Sequence, residues 1–429
     1  MSALALPKLD PKKYTVCAMT MNSDNERKVF EEQIKKSNKY NPMVELTEFG
    51  TADNWFQKAC ASGIRCDQVI ISGHFASTWS GTSKLKLPLK TMEKAGCSNT
   101  CDGIMDHPYE VFLFGCNTLS TKALDHRTPD TYLQHLLEDG YNRRGAENAV
   151  EERYGKTGDD NKTRIQRSFR GSKKQLYGFD SVGPSGKNVE GLLRDYFSKN
   201  KIEEGLEKVQ AARLIGNIDT LNNELATSLR ITAFEQCEAG ADSERDKRIC
   251  KLLNDKVSVN DKLEVVRDAL ESENWIKYMP TINDFFKANP LASMNNYQKS
   301  QVAELAESNV IKNQVKNLIQ SSNSLVIQLE WVKFARNFKY LKPKEESDAL
   351  GNNLNRMLAS GLNKNDADLI CSLKADLQGR FKADANRQPA SGPNTARGMG
   401  CLTAGTPAKA TPKFESKLSC KSLGLDCKD

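Results

Sequence analysis

Between residues 14 and 200 the chain alternates short, wholly apolar runs with amphipathic stretches, and that alternation admits few folds. YTVCAMTM (14–21), DQVIISGH (67–74), YEVFLFGC (109–116) and QLYGFDSVG (175–183) are each bounded by polar turn residues, and MVELTEFG (43–50) is a further candidate strand. A run that stays apolar at consecutive positions is covered on both faces, which is the condition of a strand inside a parallel sheet. Helical spacing fills the gaps. Asn22, Ser23 and Asp24 are good caps for a helix that carries Val29, Phe30 and Ile34 on one face. A second stretch surrounds Trp55, Phe56 and Cys60, and a later one carries Leu192, Leu193, Tyr196 and Phe197. Strand–helix alternation of this kind predicts an α/β domain, a mostly parallel sheet flanked by helices.

From about residue 201 the strand signals fade. Leu263, Val266 and Leu270, then Val315, Leu318, Leu325, Leu329 and Phe338, keep helical spacing, so residues 201–378 are expected to form an all-α domain. Residues 379–429, with Pro389, Pro393, Pro407 and Pro412 among small polar residues, are expected to form a flexible tail. Residues 1–12 are an N-terminal extension. The opening MSALALPKLD has neither a basic start nor a long apolar stretch, and no run of eighteen apolar residues follows. No membrane span is therefore expected. Lys+Arg 62 against Asp+Glu 55 gives +7, too mild and too dispersed for a dedicated nucleic-acid binder.

Twelve cysteines set the redox question. Cys60 with Cys66, Cys97 with Cys101, Cys237 with Cys250 and Cys420 with Cys427 lie close in sequence. They are candidate disulfides in an exported protein and buried thiols in a reducing cytosol; the absence of a leader favours a cytoplasmic setting. Cys97, Cys101 and His107 offer three zinc ligands where a closed structural site takes four.

Two strands share an unusual ending, VIISG-His74 and VFLFG-Cys116. Taken singly, a cysteine after a buried strand is core filler and a histidine there is a polar cap. Together they fall at the same structural position, and the chain between them is long enough for a parallel crossover. In open parallel sheets functional groups gather beyond the carboxyl ends of the strands. If the two strands are neighbours, their tips lie about 4.8 Å apart. That placement suits a Cys116 nucleophile with His74 as its acid and base, and the Cys116 backbone N–H suits an oxyanion. His107, His126 and His135 follow no apolar strand and rank below His74.

A hydrophobic strand ending in His followed by one ending in Cys resembles the caspase-like cysteine peptidases. VFLFGCNTLST with TPDTYLQHLLEDG, and QLYGFDSVGPSGKNVEGLLRDYF after it, are similar to the separases and CHAT peptidases. The resemblance covers about residues 13–200. It implies a caspase–hemoglobinase fold, a His74–Cys116 dyad and no cofactor. Two features depart from the family pattern: Phe75 replaces the usual Gly after the His, and the signature Q-A-C-[RQG]-G is absent. Phe75 still has a backbone N–H for the oxyanion. Separase-like pockets draw an Asp from the loop after the fifth strand, which points to Asp180 as the residue that would select Arg or Lys. Asp102 and Asp106 are expected to be loop solvation.

Residues 143–174 carry Arg143, Arg144, Arg153, Lys156, Lys162, Arg164, Arg167, Arg170, Lys173 and Lys174. They are expected to form a solvated basic insertion or a phosphate-binding patch and, in a basic-specific peptidase, a self-cleavage linker. The resulting expectation is a cysteine endopeptidase for limited proteolysis of a protein substrate, with a regulatory protein bound by the helical domain. By resemblance it would serve bacterial defence or cell-death signalling. The alternatives are a catalytically inactive caspase-like scaffold, favoured by Phe75, and a nucleic-acid adaptor built on residues 143–174.

Overall fold

A computed structural model describes residues 8–121, 129–138, 146, 150, 160–215, 229, 231, 233–239, 243–272, 278–321, 325–362, 364–377, 381 and 388–403. The chain divides into two compact units, Met1–Ser258 with Ile276–Ile282 and Val259–Trp275 with Asn283–Asp429. In chain order the first unit contains β1 (Val16–Thr20), α1 (Asn25–Lys36), β2 (Val44–Glu45), α2 (Trp55–Ala61) and β3 (Gln68–Ser72). Next come β4 (His74–Phe75), β5 (Thr78–Ser80), β6 (Lys86–Pro88), α3 (Leu89–Cys97), α4 (Asp102–Met105) and β7 (Glu110–Phe114). The unit continues with α5 (Pro129–Glu138), α6 (Asn161–Ser168), β8 (Lys174–Phe179), α7 (Gly186–Phe197), α8 (Ile202–Ile215), β9 (Phe234–Ala239) and α9 (Glu244–Leu253).

Six strands form one sheet in the order β2-β1-β3-β7-β8-β9, parallel throughout except for β9, which runs antiparallel to β8 on the edge. Successive side chains point to opposite faces, so the apolar runs feed two cores. Cys17, Met19, Val69, Ile71, Val111, Leu113 and Leu176 pack on one face with Trp55 of α2 and Met92 of α3. Val16, Ile70, Phe112, Phe114, Tyr177 and Phe179 pack on the other with Phe30 of α1 and Phe197 of α7. The expected mostly parallel sheet with flanking helices is present. The stretch 43–50 is a strand only at Val44–Glu45, and Leu46–Phe49 turn as a 3-10 helix.

The second unit is helical in its described residues: α10 (Val259–Glu271), the end of α11 (Met279–Ala288), α12 (Asn296–Glu307), α13 (Asn309–Ser321) and α14 (Leu325–Asn337). It closes with α15 (Pro343–Ser360), α16 (Lys364–Ser372), α17 (Lys374–Leu377) and α18 (Pro393–Thr403). The boundary lies some way past the expected residue 201, because α8, β9 and α9 belong with the sheet. The expected flexible tail also needs correction. Pro393–Thr403 is a helix fixed by the Cys371–Cys401 disulfide and by Thr395, whose hydroxyl accepts from the Leu362 N–H. Residues 404–429, with Cys420 and Cys427, lie outside the described residues.

The cysteines pair across the fold and not with their sequence neighbours. Cys17 bonds Cys66, Cys60 bonds Cys101, and Cys97 bonds Cys250. For Cys17–Cys66 the parallel sheet is the reason, since it sets β1 beside the start of β3; the other two join helices far apart in the chain, Cys60 on α2 to Cys101 before α4 and Cys97 on α3 to Cys250 on α9. Cys97 and Cys101 sit in different disulfides, so the Cys97–Cys101–His107 zinc reading loses both thiolates. Among the described residues no helix is long and apolar enough to cross a membrane.

The described part of the basic segment is not a solvated insertion. Arg164 and Arg167 on α6 are buried and hold opposite oxygens of the buried Glu93 on α3, at 2.8 and 2.7 Å. Arg167 also pairs with Asp246 of α9, and Lys162 and Lys173 pair with Glu235 and Glu238 of β9. Lys174 is fully buried; it donates to the carbonyls of Met105 and Arg170 and pairs with Asp106, which is therefore more than loop solvation. The charges serve as ties between helices and sheet. Arg143, Arg144, Arg153 and Lys156 lie outside the described residues, as do His126 and the side chain of His135.

Candidate active site

β3 and β7 are neighbours, with Ser72 opposite Phe114. The ladder runs one step further, where the Gly73 N–H donates to the Phe114 carbonyl at 3.2 Å. His74 and Cys116 thus stand equally far past the paired ends of adjacent strands. Both line one cavity of about 240 Å³ at the carboxyl edge of the sheet. Its other walls come from Asn22 and Ser23 after β1, Glu26 of α1, and the loop Gly183–Gly186 leading into α7.

The glycine before each reactive residue has a packing cause. β4, β5 and β6 form a small antiparallel sheet that folds across the tips of the main one. A Cβ on Gly115 would stand 2.5 Å from the Trp79 ring and 2.9 Å from the Phe75 Cβ. One on Gly73 would stand 2.9 Å from the Ser80 carbonyl oxygen and 3.2 Å from the Met21 Cβ. After Cys116 the chain turns through Asn117, whose φ of 61° lies in the left-handed region that Asn tolerates. The turn is pinned: the Asn117 N–H donates to Ser181, and its carbonyl accepts from Asn161 and Ser120.

Phe75 fills a structural place. Its ring packs on Trp79 at 4.8 Å and is buried. The Ala76 N–H donates to Thr78, which makes Phe75 and Trp79 a non-hydrogen-bonded pair. The Phe75 N–H therefore faces away from β5, free of that ladder. Phe75 thus puts a ring into the core beside Gly115 and leaves its backbone donor in place.

Among the described residues only Cys116 and Cys237 are unpaired thiols. Burial pushes the Cys237 thiol up to about 12, which leaves it inert near neutrality. Cys116 is half-buried at the cavity, and His74 is exposed there. His74 is also held: its Nε2 lies 3.2 Å from the side-chain nitrogen of Asn22.

Asp180 does not border the cavity. Its N–H donates to the Ala233 carbonyl and its carboxyl meets Glu235 of β9, so the loop after β8 carries it toward the sheet edge. The carboxyl that does border the cavity is Glu26, only 4% exposed. It accepts from Ser72 Oγ at 2.9 Å and Ser23 Oγ at 3.2 Å, and forms no ion pair among the described residues. Burial raises its pKa, the two hydroxyls only partly offsetting the loss of water. A Cβ on Gly186 would stand 3.0 Å from Glu26 Oε1, so the start of α7 closes tightly over it. Glu26 escapes sequence reading because Ser23-x-x-Glu26 looks like ordinary helix capping.

A larger cavity, about 520 Å³, opens at the amino edge of the sheet between Lys12, Lys13, Arg65 and His107. There His107 meets Asp67 at 3.4 Å and Arg65 at 3.1 Å. No thiol lines it, and its size alone gives it no chemistry. No family model, no curated protein and no solved structure matches this chain.

Proposed function

We propose that the chain is a cysteine endopeptidase of caspase-like architecture that cuts a protein substrate after a basic residue. The observation that carries the reading is the shared cavity, in which the half-buried unpaired Cys116 and His74 stand past adjacent parallel strands. The mostly parallel sheet flanked by helices is compatible with that architecture. In the proposed reaction the Cys116 thiolate attacks the scissile carbonyl carbon, and its oxygen takes the negative charge beside the N–H groups of Phe75 and Cys116. The C–N bond breaks as imidazolium His74 gives its proton to the leaving amine, leaving a thioester. Neutral His74 then takes a proton from water as the oxygen attacks the thioester, and the thiolate and imidazolium return.

Glu26, not Asp180, is the residue that would recognise the side chain before the cut. A buried carboxyl without a cation gains its counter-charge when a guanidinium or ammonium enters. The four disulfides among the described residues suit an oxidising compartment, the exported alternative to the cytoplasmic setting expected from the opening residues. Self-cleavage within 160–174 is disfavoured because its basic residues are tied into the fold.

An iodoacetamide-type probe tests the dyad. Cys116 is expected to label near neutral pH, and His74→Ala to slow labelling by about tenfold or more, as the imidazolium supports the thiolate. A peptide library should yield cuts after Arg or Lys that vanish in Cys116→Ala, with Glu26→Gln lowering that preference about 100-fold, the scale of a lost charge-assisted pair. A Cys116 no more reactive than a free thiol, with no peptide cut, would leave the inactive scaffold as the reading.

A further inference from the structure

The turn between β5 and β6 reaches back to the end of β1 and grips it. Gly81 lies so close that a Cβ there would overlap the Met21 carbonyl and stand 2.6 Å from the Asn22 Cβ. Ser83 Oγ donates to the Met21 carbonyl at 2.6 Å, and the Met21 N–H donates to Ser72 at 2.9 Å. Asn22 is thereby fixed between the turn and His74. Its Oδ1 accepts from the Thr82 N–H at 3.4 Å, which leaves its NH₂ toward the His74 ring, 3.2 Å from Nε2.

We infer that Asn22 is the positioning residue of His74: it holds Nε2 and so makes Nδ1 the nitrogen that exchanges protons with the reacting groups. The inference rests on the Cys–His reading of the site for its role in catalysis, but the placement of the proton stands on this geometry alone. An amide NH₂ facing Nε2 requires a lone pair there, so with the amide in this orientation the resting neutral ring carries its hydrogen on Nδ1. Free imidazole side chains favour the other tautomer, so the contact reverses a default. When the exposed ring takes a second proton at Nε2 from solvent, into which the Cys116 thiol releases its own, Nε2–H needs an acceptor. The amide supplies one by turning over, which gives up only the long contact to Thr82. Imidazolium His74 then passes its Nδ1 proton to the leaving amine and keeps Nε2–H on Asn22 Oδ1. The bare Nδ1 next takes the proton of water. Asn22 neither gains nor loses a proton in the cycle.

Nitrogen-15 NMR of the full chain, with oxidised disulfides, reads the tautomer directly, and only four histidines need assignment. Above its titration His74 is expected to show the Nδ1–H form in the wild type and to revert to Nε2–H in Asn22→Ala. Asn22→Asp keeps an acceptor for Nε2–H but offers no NH₂, so its neutral ring should show the Nε2–H form. In peptide cleavage Asn22→Ala should lose about 10- to 100-fold in kcat with KM nearly unchanged, a loss of positioning. Asn22→Asp should recover part of that turnover. A wild-type ring already in the Nε2–H form, or one whose tautomer is the same in Asn22→Ala, overturns the inference. If the ring behaves as stated but no peptide is cut, the positioning stands and the peptidase reading falls.

Discussion

Glu93→Gln is expected to lower the thermal midpoint of the α/β unit by roughly 10 °C, the largest effect of any single polar substitution considered. Glu93 is 4% exposed and lies between two buried guanidiniums, with Arg164 on one oxygen and Arg167 on the other. Breaking a buried ion pair by removing one partner costs about 3–5 kcal/mol, because the remaining charge stays out of water. In a domain of this size each kcal/mol moves the midpoint by about 2–4 °C. The site ties three helices together, α3 through Glu93, α6 through the arginines and α9 through Asp246. An exposed pair one residue away supplies the control. Lys94 meets Asp255 at 2.6 Å with both side chains at least half exposed, and such pairs contribute about 0–1 kcal/mol. Lys94→Gln should therefore shift the midpoint by no more than a few degrees. Calorimetry showing equal shifts for the two variants would refute the buried-network account.

That network also shows where sequence reading stops. The strands were legible because β1, β3, β7 and β8 are covered on both faces and so read as unbroken apolar runs. The like placement of His74 and Cys116, each two residues past a strand, followed from where each run ended; the pairing of β3 with β7 was the condition on that reading, and the sheet meets it. β9 was not legible: FEQCEA has Glu or Gln at half of its positions and so no unbroken apolar run, and its antiparallel pairing joins residues far apart in the chain. Arg164 and Arg167 looked solvated because their carboxylate partner lies some seventy positions earlier, which no local pattern reveals. Disulfide partners failed for the same reason. Cys97 is four residues from Cys101 yet bonds Cys250, 153 positions away. The cavity carboxyl was misassigned because the loop after β8 turns Asp180 toward β9, while α1 delivers Glu26 from the other end of the domain. Local chemistry is written in order along the chain; a site assembled from several strand ends is not.

Stability should fall between about pH 4.5 and pH 7 because of one carboxyl at the amino edge of the sheet, and Glu110→Gln should flatten that fall. Glu110 opens β7 opposite Gln68, is 2% exposed, and accepts from Gln68 Nε2 at 2.7 Å and Tyr177 OH at 3.0 Å. Burial is the main cause that pushes its pKa from 4.5 to about 7, the two hydrogen bonds working in the opposite direction. The folded state thus holds the Glu110 proton more tightly than the unfolded chain. Its contribution is fully present below pH 4.5 and is lost as pH rises through about 7. At 1.36 kcal/mol for each pKa unit, the loss is about 3 kcal/mol. Gln68 Oε1 is buried without a partner, so turning that amide over gives an acceptor for the proton of Glu110 or for the NH₂ of a glutamine in its place. Glu110→Gln can therefore keep both neighbours bonded while removing the titration. Glu26 and Glu235 are shifted upward by burial too, so the wild-type profile sums several groups, and the difference between wild type and variant isolates Glu110. Denaturation at pH 4.5 and pH 8, under oxidising conditions, should find the two proteins closely matched in acid. At pH 8 the variant should be more stable by about 3 kcal/mol, the size of the removed titration. Parallel profiles, with the same offset at both pH values, would mean that Glu110 stays ionised in the folded protein.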